Sequence, residues 1–217
     1  MRLYTYWRSS AAYRVRIALG LKGIPFESVP VHLVRGGGEQ HDAAYKRLNP
    51  GGRVPTLEVD GQVIQQSMAI LEWLEETHPT PRLLPADALG RARVRGLAQM
   101  VVSDIQPLQN ISVTRYLRDE AGWDGERIAS WLRHWISRGM SALEQALDDR
   151  ATGQLCHGDS PTLADLCLVP QCYASRRFGV DVAAYPRIAA IERRCLALPA
   201  FGVAAPEAQP DAEIARG

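Results

Sequence analysis

Hydrophobic and polar positions change rhythm once along the chain. Before Pro79 they form short runs. Leu3-Tyr4-Thr5-Tyr6 alternates and predicts a strand. Ser9 or Ser10 can cap a helix that runs through Val15, Ala18 and Leu19 to Lys22, with Gly23 as its stop. Phe26 to Val31 predicts a second strand, Gly36-Gly37-Gly38 a flexible loop, and Asp42 to Leu48 a short helix ended by Asn49-Pro50. Thr56-Leu57-Glu58-Val59 and Gln62-Val63-Ile64 flank Asp60-Gly61. That pair predicts a tight hairpin, because a type I′ turn needs positive φ at both central residues. Ser67 then opens a helix with Ile70, Leu71 and Leu74 on its apolar side.

The order β-α-β, linking helix, β-β-α is the thioredoxin-like arrangement. It ends at Pro79-Thr80-Pro81, with Pro85 following, a proline-rich stretch without periodicity that predicts a domain boundary. Beyond Asp87 the period lengthens. Val94, Leu97, Val101, Ile105 and Leu108 recur at helical spacing, in a helix that Pro107 kinks or breaks. Ile128, Leu132, Trp135, Met140, Leu143 and Leu147 predict a second long helix. Thr162-Leu163-Ala164-Asp165 resembles a capping box, with Asp in place of Glu or Gln, ahead of an apolar helix through Leu166 and Val169. A last helix is expected from Pro186 to Leu196. The tail from Ala204 to Gly217, rich in Ala, Pro and acidic residues, is expected to fray. The fold class is therefore α/β plus all-α: a thioredoxin-like domain over residues 1–82 and a helical domain over residues 87–217.

Composition narrows the function. The 217 residues carry 25 Lys+Arg against 24 Asp+Glu, a net charge of +1, so bulk electrostatics favours neither nucleic acid nor an anionic membrane as partner. No apolar run is long enough to span a bilayer, and Met1 to Ser10 lacks the layout of a signal peptide. Cys156, Cys167, Cys172 and Cys195 show neither CxxC nor metal-ligand spacing, so no metal site is expected. They fit a reducing cytoplasm, as small apolar fillers. The five histidines do not cluster, Gly36-Gly37-Gly38 lacks the Lys-Ser/Thr of a phosphate cradle, and Trp131 with Trp135 reads as core.

Three stretches can carry chemistry. Arg8-Ser9-Ser10 sits at a strand-to-helix turn, where a helix N-terminus offers unpaired N–H groups and partial positive charge. Without a CxxC the turn cannot run dithiol–disulfide exchange, but its hydroxyls suit donation to an external thiolate; plain capping is the alternative. Val54-Pro55 opens a strand and is a candidate cis bond, whose preceding backbone could pair with a peptide ligand; a strand-edge proline is the alternative. Gln66-Ser67 precedes a helix, with Ser67 placed as N-cap and the N-terminus suited to a carboxylate. Arg14 and Arg16 read first as solvated charges, and Arg14 could equally brace a domain interface.

These stretches, with Tyr13-Arg14-Val15-Arg16-Ile17-Ala18-Leu19, Leu48-Asn49-Pro50, Val54-Pro55-Thr56-Leu57, Ile105-Gln106-Pro107-Leu108-Gln109-Asn110 and Ala164-Asp165-Leu166-Cys167, resemble the glutathione transferases, specifically the zeta class, the maleylacetoacetate isomerases. The resemblance covers nearly the whole chain and fails in the tail. One position departs: Ala11 stands where the family motif carries cysteine.

The resemblance implies a glutathione-transferase fold, a homodimer and glutathione as cofactor. It implies cis–trans isomerisation of maleylacetoacetate to fumarylacetoacetate by reversible thiolate addition, in breakdown of aromatic amino acids. The same reaction on maleylpyruvate, general conjugation of glutathione, and a non-enzymatic interaction module are the alternatives. Ser9 would hydrogen-bond the thiolate, with Ser10 and Arg8 beside it. Val54, Gln66, Ser67, Gln40, Gln106, Asn110 and Ser112 would hold glutathione, and Arg8 with Arg177 the carboxylates of a doubly anionic keto acid.

Overall fold

The computed structural model describes residues Met1–Glu213. They group into two compact units, Met1–Arg82 together with the segment from Leu196 onward, and Leu83–Cys195.

The first unit is built on a four-stranded sheet of order β2-β1-β3-β4, from β1 (Arg2–Thr5), β2 (Glu27–Pro30), β3 (Thr56–Val59) and β4 (Gln62–Gln65). β1 pairs parallel with β2 and antiparallel with β3, and β3 pairs antiparallel with β4. Asp60 and Gly61 both take positive φ (50° and 77°), so the hairpin forms as the sequence requires. The helices are α1 (Ser10–Leu21), α2 (Ala43–Leu48) and α3 (Ser67–Thr77). Leu3, Ile17, Leu57, Ile70, Leu71 and Leu74 are fully buried where sheet and helices meet. Each such side chain contributes roughly 1.5–3 kcal/mol by leaving water.

α1 has no solvent face over its middle: every residue from Ala12 to Leu19 is buried. Arg14 and Arg16 are among them, which corrects the reading of both as solvated charges. Lys22, past the end of α1, is also enclosed. Its Nζ donates to Glu75 Oε2 (3.0 Å), His78 O (2.7 Å) and Pro81 O (2.8 Å), tying α1 to the end of α3.

The second unit is helical. α4 (Ala88–Gln99) runs into a π-helical stretch, Met100–Ile105, followed by α5 (Gln106–Gln109) and α6 (Ile111–Asp119). The expected break thus comes before Pro107, which sits in the first turn of α5 where a missing N–H costs nothing. α7 (Gly125–Ala146) passes close to the π stretch at Gly139, where a Cβ would come within 2.3 Å of Ile105. α8 (Leu163–Arg177) is buried along nearly its whole length. Its start is a capping box: Asp165 accepts from Thr162 N, Thr162 Oγ1 and Cys156 N, each at 2.8 Å. α9 (Pro186–Leu196) closes the unit. Trp131 and Trp135 are half-buried rather than core, in an edge-to-face ladder with Trp123.

The chain then returns to the first unit. α10 (Pro199–Val203) packs on α1, with Phe201 fully buried. Tyr13 OH donates to Phe201 O (3.0 Å) and Arg16 Nε to Ala204 O (3.1 Å). Pro206 is buried, and Asp211 accepts from Trp7 N at 2.9 Å. The tail therefore does not fray between Ala204 and Glu213, and the last segment belongs with residues 1–82 rather than with the helical unit. Composition hid this, because the partners that hold the tail are buried polar groups of α1. The rest of the expected tail, residues 214–217, lies outside the described residues.

Candidate functional site

Ser9 stands where β1 turns into α1. It is the N-cap of α1, extended at φ −74° and ψ 117°. Its Oγ accepts from Ala12 N (3.2 Å), its N donates to Tyr6 O (3.0 Å), and its O accepts from Tyr13 N (2.8 Å). The hydroxyl thus caps the helix as an acceptor, the plainer of the two expectations, and a hydroxyl that accepts one bond still carries a proton it can donate. Ser10 is the first residue of the helix, and Arg8, Ser9, Ser10 and Ala11 are all half-buried. The Arg8 guanidinium lies 5.1 Å from the centre of the Trp7 ring.

The start of α3 is a second polar centre. Gln66, not Ser67, is its N-cap, and Ser67 is the first helical residue; this corrects the expected cap. The Ser67 Oγ instead accepts from Arg14 Nη1 at 2.8 Å. Arg14 is fully buried, so a guanidinium and the positive end of a helix coincide at one place. Gln66 holds φ 68° and ψ 120°, a left-handed backbone that a residue with a side chain adopts at a cost of roughly 1–3 kcal/mol. Strain of that size persists where surrounding contacts enforce it.

Val54–Pro55 is a cis peptide, and the Val54 side chain is buried. Behind it, Tyr45 OH donates to Arg53 O (2.6 Å), Asn49 Nδ2 donates to Arg53 O (2.8 Å), and both reach Thr56 Oγ1. Burial pushes the Tyr45 phenol up, so it stays a donor. Gln40 is tucked under the preceding loop, 3% exposed, with Nε2 bonded to Leu33 O (3.3 Å) and to His41 Nε2 (3.1 Å). Gly38 makes room for it: at φ 110°, a Cβ there would lie 2.5 Å from the Gln40 amide. Gln40 Oε1 is buried with no partner among the described residues.

Arg8, Ser9, Ser10, Gln40, Val54, Gln66 and Ser67 thus all belong to the first unit. Gln106, Asn110, Ser112 and Arg177 belong to the helical unit. There, Gln106 opens α5, and Asn110 caps α6, accepting from Ser112 N (3.0 Å) and Ser112 Oγ (2.8 Å). Arg177 is exposed at the end of α8, its guanidinium 4.3 Å from the Phe178 ring centre. Sequence reasoning missed the role of Arg14. A signal was present: an arginine amid Ala12 to Leu19, a stretch with no polar face, must find a buried partner.

All four cysteines are free and buried. Burial pushes the thiols of Cys156, Cys172 and Cys195 well up, so none of these three is poised as a nucleophile. Among the described residues no cluster of three His, Cys, Asp or Glu is placed to hold a metal, and no helix is long and apolar enough to cross a membrane.

The glutathione S-transferase N-terminal domain family matches residues 8–77. The maleylacetoacetate isomerase of Pseudomonas aeruginosa is 51% identical over 216 residues, 99% of this chain and 100% of that protein. The holo structure of a bacterial maleylpyruvate isomerase, a zeta-class glutathione transferase, superposes with a TM-score of 0.95 at 50% identity, covering 98% of this chain and 100% of the other. The maleylacetoacetate isomerase of Anaeromyxobacter dehalogenans, solved with dicarboxyethyl glutathione and citrate in its active site, superposes with a TM-score of 0.86 at 50% identity over 98% and 97% of the two chains. With this likeness end to end, and with a thioredoxin-like sheet that carries a serine rather than a cysteine at the start of α1, the chain belongs to the zeta class of the glutathione transferases.

Proposed function

We propose that this chain is a glutathione-dependent cis–trans isomerase that converts maleylacetoacetate to fumarylacetoacetate. The observation that carries the reading is Ser9: a hydroxyl with a proton to donate, at a helix N-terminus, in a chain 51% identical along its length to a maleylacetoacetate isomerase. When bound, glutathione supplies a thiolate whose reversible addition to the conjugated cis double bond lets that bond rotate before elimination restores a trans alkene.

The residues present fit the tripeptide. Arg14, Ser67 and the N-terminus of α3 would form a cationic seat for the γ-glutamyl carboxylate, with Gln66, of positive φ, as the residue that precedes the helix. The Val54 backbone would pair with the cysteinyl unit. Gln40 would exchange its longer bond, to Leu33 O, for the glycyl carboxylate. Ser9 Oγ would donate to the sulfur, and the dipole of α1, with Ser10 in its first turn, would add to the stabilisation of negative charge. A hydrogen bond to the charged form lowers a thiol pKa: from ~8.5 to ~6.5 raises the ionised share at pH 7 from about 3% to about 75%. Gln106, Asn110 and Ser112 are assigned to glutathione by resemblance, and Arg8 and Arg177 to the substrate carboxylates.

The test supplies maleylacetoacetate with a catalytic amount of glutathione and follows loss of the cis compound. Turnover with glutathione returned unchanged is expected; one-for-one depletion of glutathione would make the protein a conjugating transferase instead. Maleylpyruvate is the second substrate to try, favoured by the 50% identity to a maleylpyruvate isomerase, and the higher kcat/KM decides. We further propose a homodimer, to be read by sedimentation at twice the 23.9 kDa chain mass. A cytoplasmic setting is supported by four free thiols, and a place in aromatic-compound breakdown by the resemblance alone.

A further inference from the structure

One peptide unit lies between the C-terminal segment and Ser9. It joins Tyr6 to Trp7. Its N–H, on Trp7, donates to Asp211 Oδ2 at 2.9 Å. Its carbonyl, on Tyr6, accepts from Ser9 N at 3.0 Å and from Arg16 Nη1 at 3.4 Å. The next carbonyl, on Trp7, accepts from Arg16 Nη2 at 3.0 Å. Arg16 is itself 3% exposed and anchored by Thr5 Oγ1 (3.0 Å) and by Ala204 O (3.1 Å), at the start of the returning tail. An acid and a base thus grip this peptide from opposite edges, and the edge held by the base also holds the amide of Ser9.

We propose that Asp211 is a positioning residue for Ser9, fixing through the Tyr6–Trp7 peptide the direction in which the Ser9 hydroxyl donates. The peptide is planar and rigid, so its N–H and C=O turn together. Losing the Asp211 bond frees rotation about the flanking dihedrals, and any rotation tilts the carbonyl that Ser9 N depends on. Hydrogen-bond strength falls steeply with misalignment, so a small tilt is felt at the sulfur. Burial lowers the Arg16 pKa to about 10 and the charge of Asp211 works against that fall, so the base keeps its charge at neutral pH. Glu213 adds a second tie, to Arg35 Nη2 (2.7 Å) and His32 Nε2 (3.2 Å), but it does not touch the peptide.

The inference rests on Ser9 being the thiolate donor, and the experiment separates the two. Glutathione is bound to wild type, Asp211→Ala, Asp211→Asn and Glu213→Gln, and the ultraviolet absorbance of the bound thiolate is titrated beside kcat/KM. Wild type must ionise the thiol below its free value; if it does not, the reading of the site fails. Given that, Asp211→Ala is expected to raise the bound thiol's apparent pKa, with a fall in kcat/KM of about three- to tenfold at acid pH that closes at alkaline pH. Asp211→Asn, which keeps an acceptor for Trp7 N, is expected between the two, and Glu213→Gln at the wild-type value. A variant that melts earlier but titrates like wild type overturns the inference and leaves Asp211 a tail anchor. Should Asp211→Ala not fold, amide exchange in the glutathione-bound wild type decides. Common protection of the Trp7 and Ser9 amides supports the coupling, and a protected Ser9 beside a freely exchanging Trp7 overturns it.

Discussion

Ser9→Ala separates the two tasks of one hydroxyl. As an acceptor, Ser9 Oγ takes Ala12 N at 3.2 Å, a long cap bond. Its loss should cost about 1 kcal/mol and lower the melting temperature by roughly 2–4 °C. As a donor to a thiolate, it is worth about 1.5–3 kcal/mol, the range for a hydrogen bond to a charged group, which is ~1–2 pKa units. Starting from a bound thiol at ~6.5, a rise of ~1.5 units cuts the ionised share at pH 7 from about 75% to about 9%. Turnover should therefore fall about eightfold at pH 7 through ionisation alone, and recover to within about 10% of wild type at pH 9. Thermal melting reads the first effect, and initial rates across pH with thiolate absorbance read the second. A variant that melts lower but keeps its thiolate absorbance and neutral-pH rate would refute the donor role and leave Ser9 a cap. A loss equally deep at pH 9 would refute ionisation as its mechanism.

Gln66→Gly should relieve the positive-φ backbone, raising stability by up to about 1 kcal/mol while weakening glutathione binding; tighter binding by calorimetry would contradict the assignment of Gln66. Asp165→Ala strips the acceptor from two buried N–H groups and one hydroxyl. At about 1–3 kcal/mol for each orphaned donor, partly offset because burial already raises the Asp165 pKa, a loss of about 3 kcal/mol in urea unfolding is expected, and one under about 1 kcal/mol would contradict it. Arg35 and His32 hold the Glu213 carboxyl below its ordinary 4.5, so its contribution to docking the tail is complete above that pH and lost as pH falls through the lower folded value. Amide protection over residues 209–213, corrected for intrinsic rates, should therefore drop on acidification in wild type and change less in Glu213→Gln.

What the sequence disclosed and what it withheld divide along physical lines. The sheet and its helices follow from local signals. Asp60-Gly61 can take positive φ at two adjacent positions, Thr162 and Asp165 are three residues apart, and Ser9 precedes a helix whose apolar run begins at once. The Ser9 cap and the cis Val54–Pro55 bond were legible for the same reason, each being set by its immediate neighbours, whereas the expected Ser67 cap was not, since the Ser67 hydroxyl answers to Arg14. Arg14 and Arg16 were not, because their partners are distant. Ser67 lies 53 residues from Arg14, and the carbonyl of Ala204 lies 188 from Arg16. A backbone carbonyl accepts equally well from any residue type, so the tail carries no mark of the guanidinium it satisfies. The trace is on the other side. Tyr13-Arg14-Val15-Arg16-Ile17 alternates charge with bulk inside a helix that has no exposed face, and a charge on such a helix demands a partner from elsewhere in the chain. Followed through, that demand explains why the tail must return. Ala204 O and the charge of Asp211 offset part of the cost of burying Arg16, so the buried guanidinium and the returning tail stabilise each other.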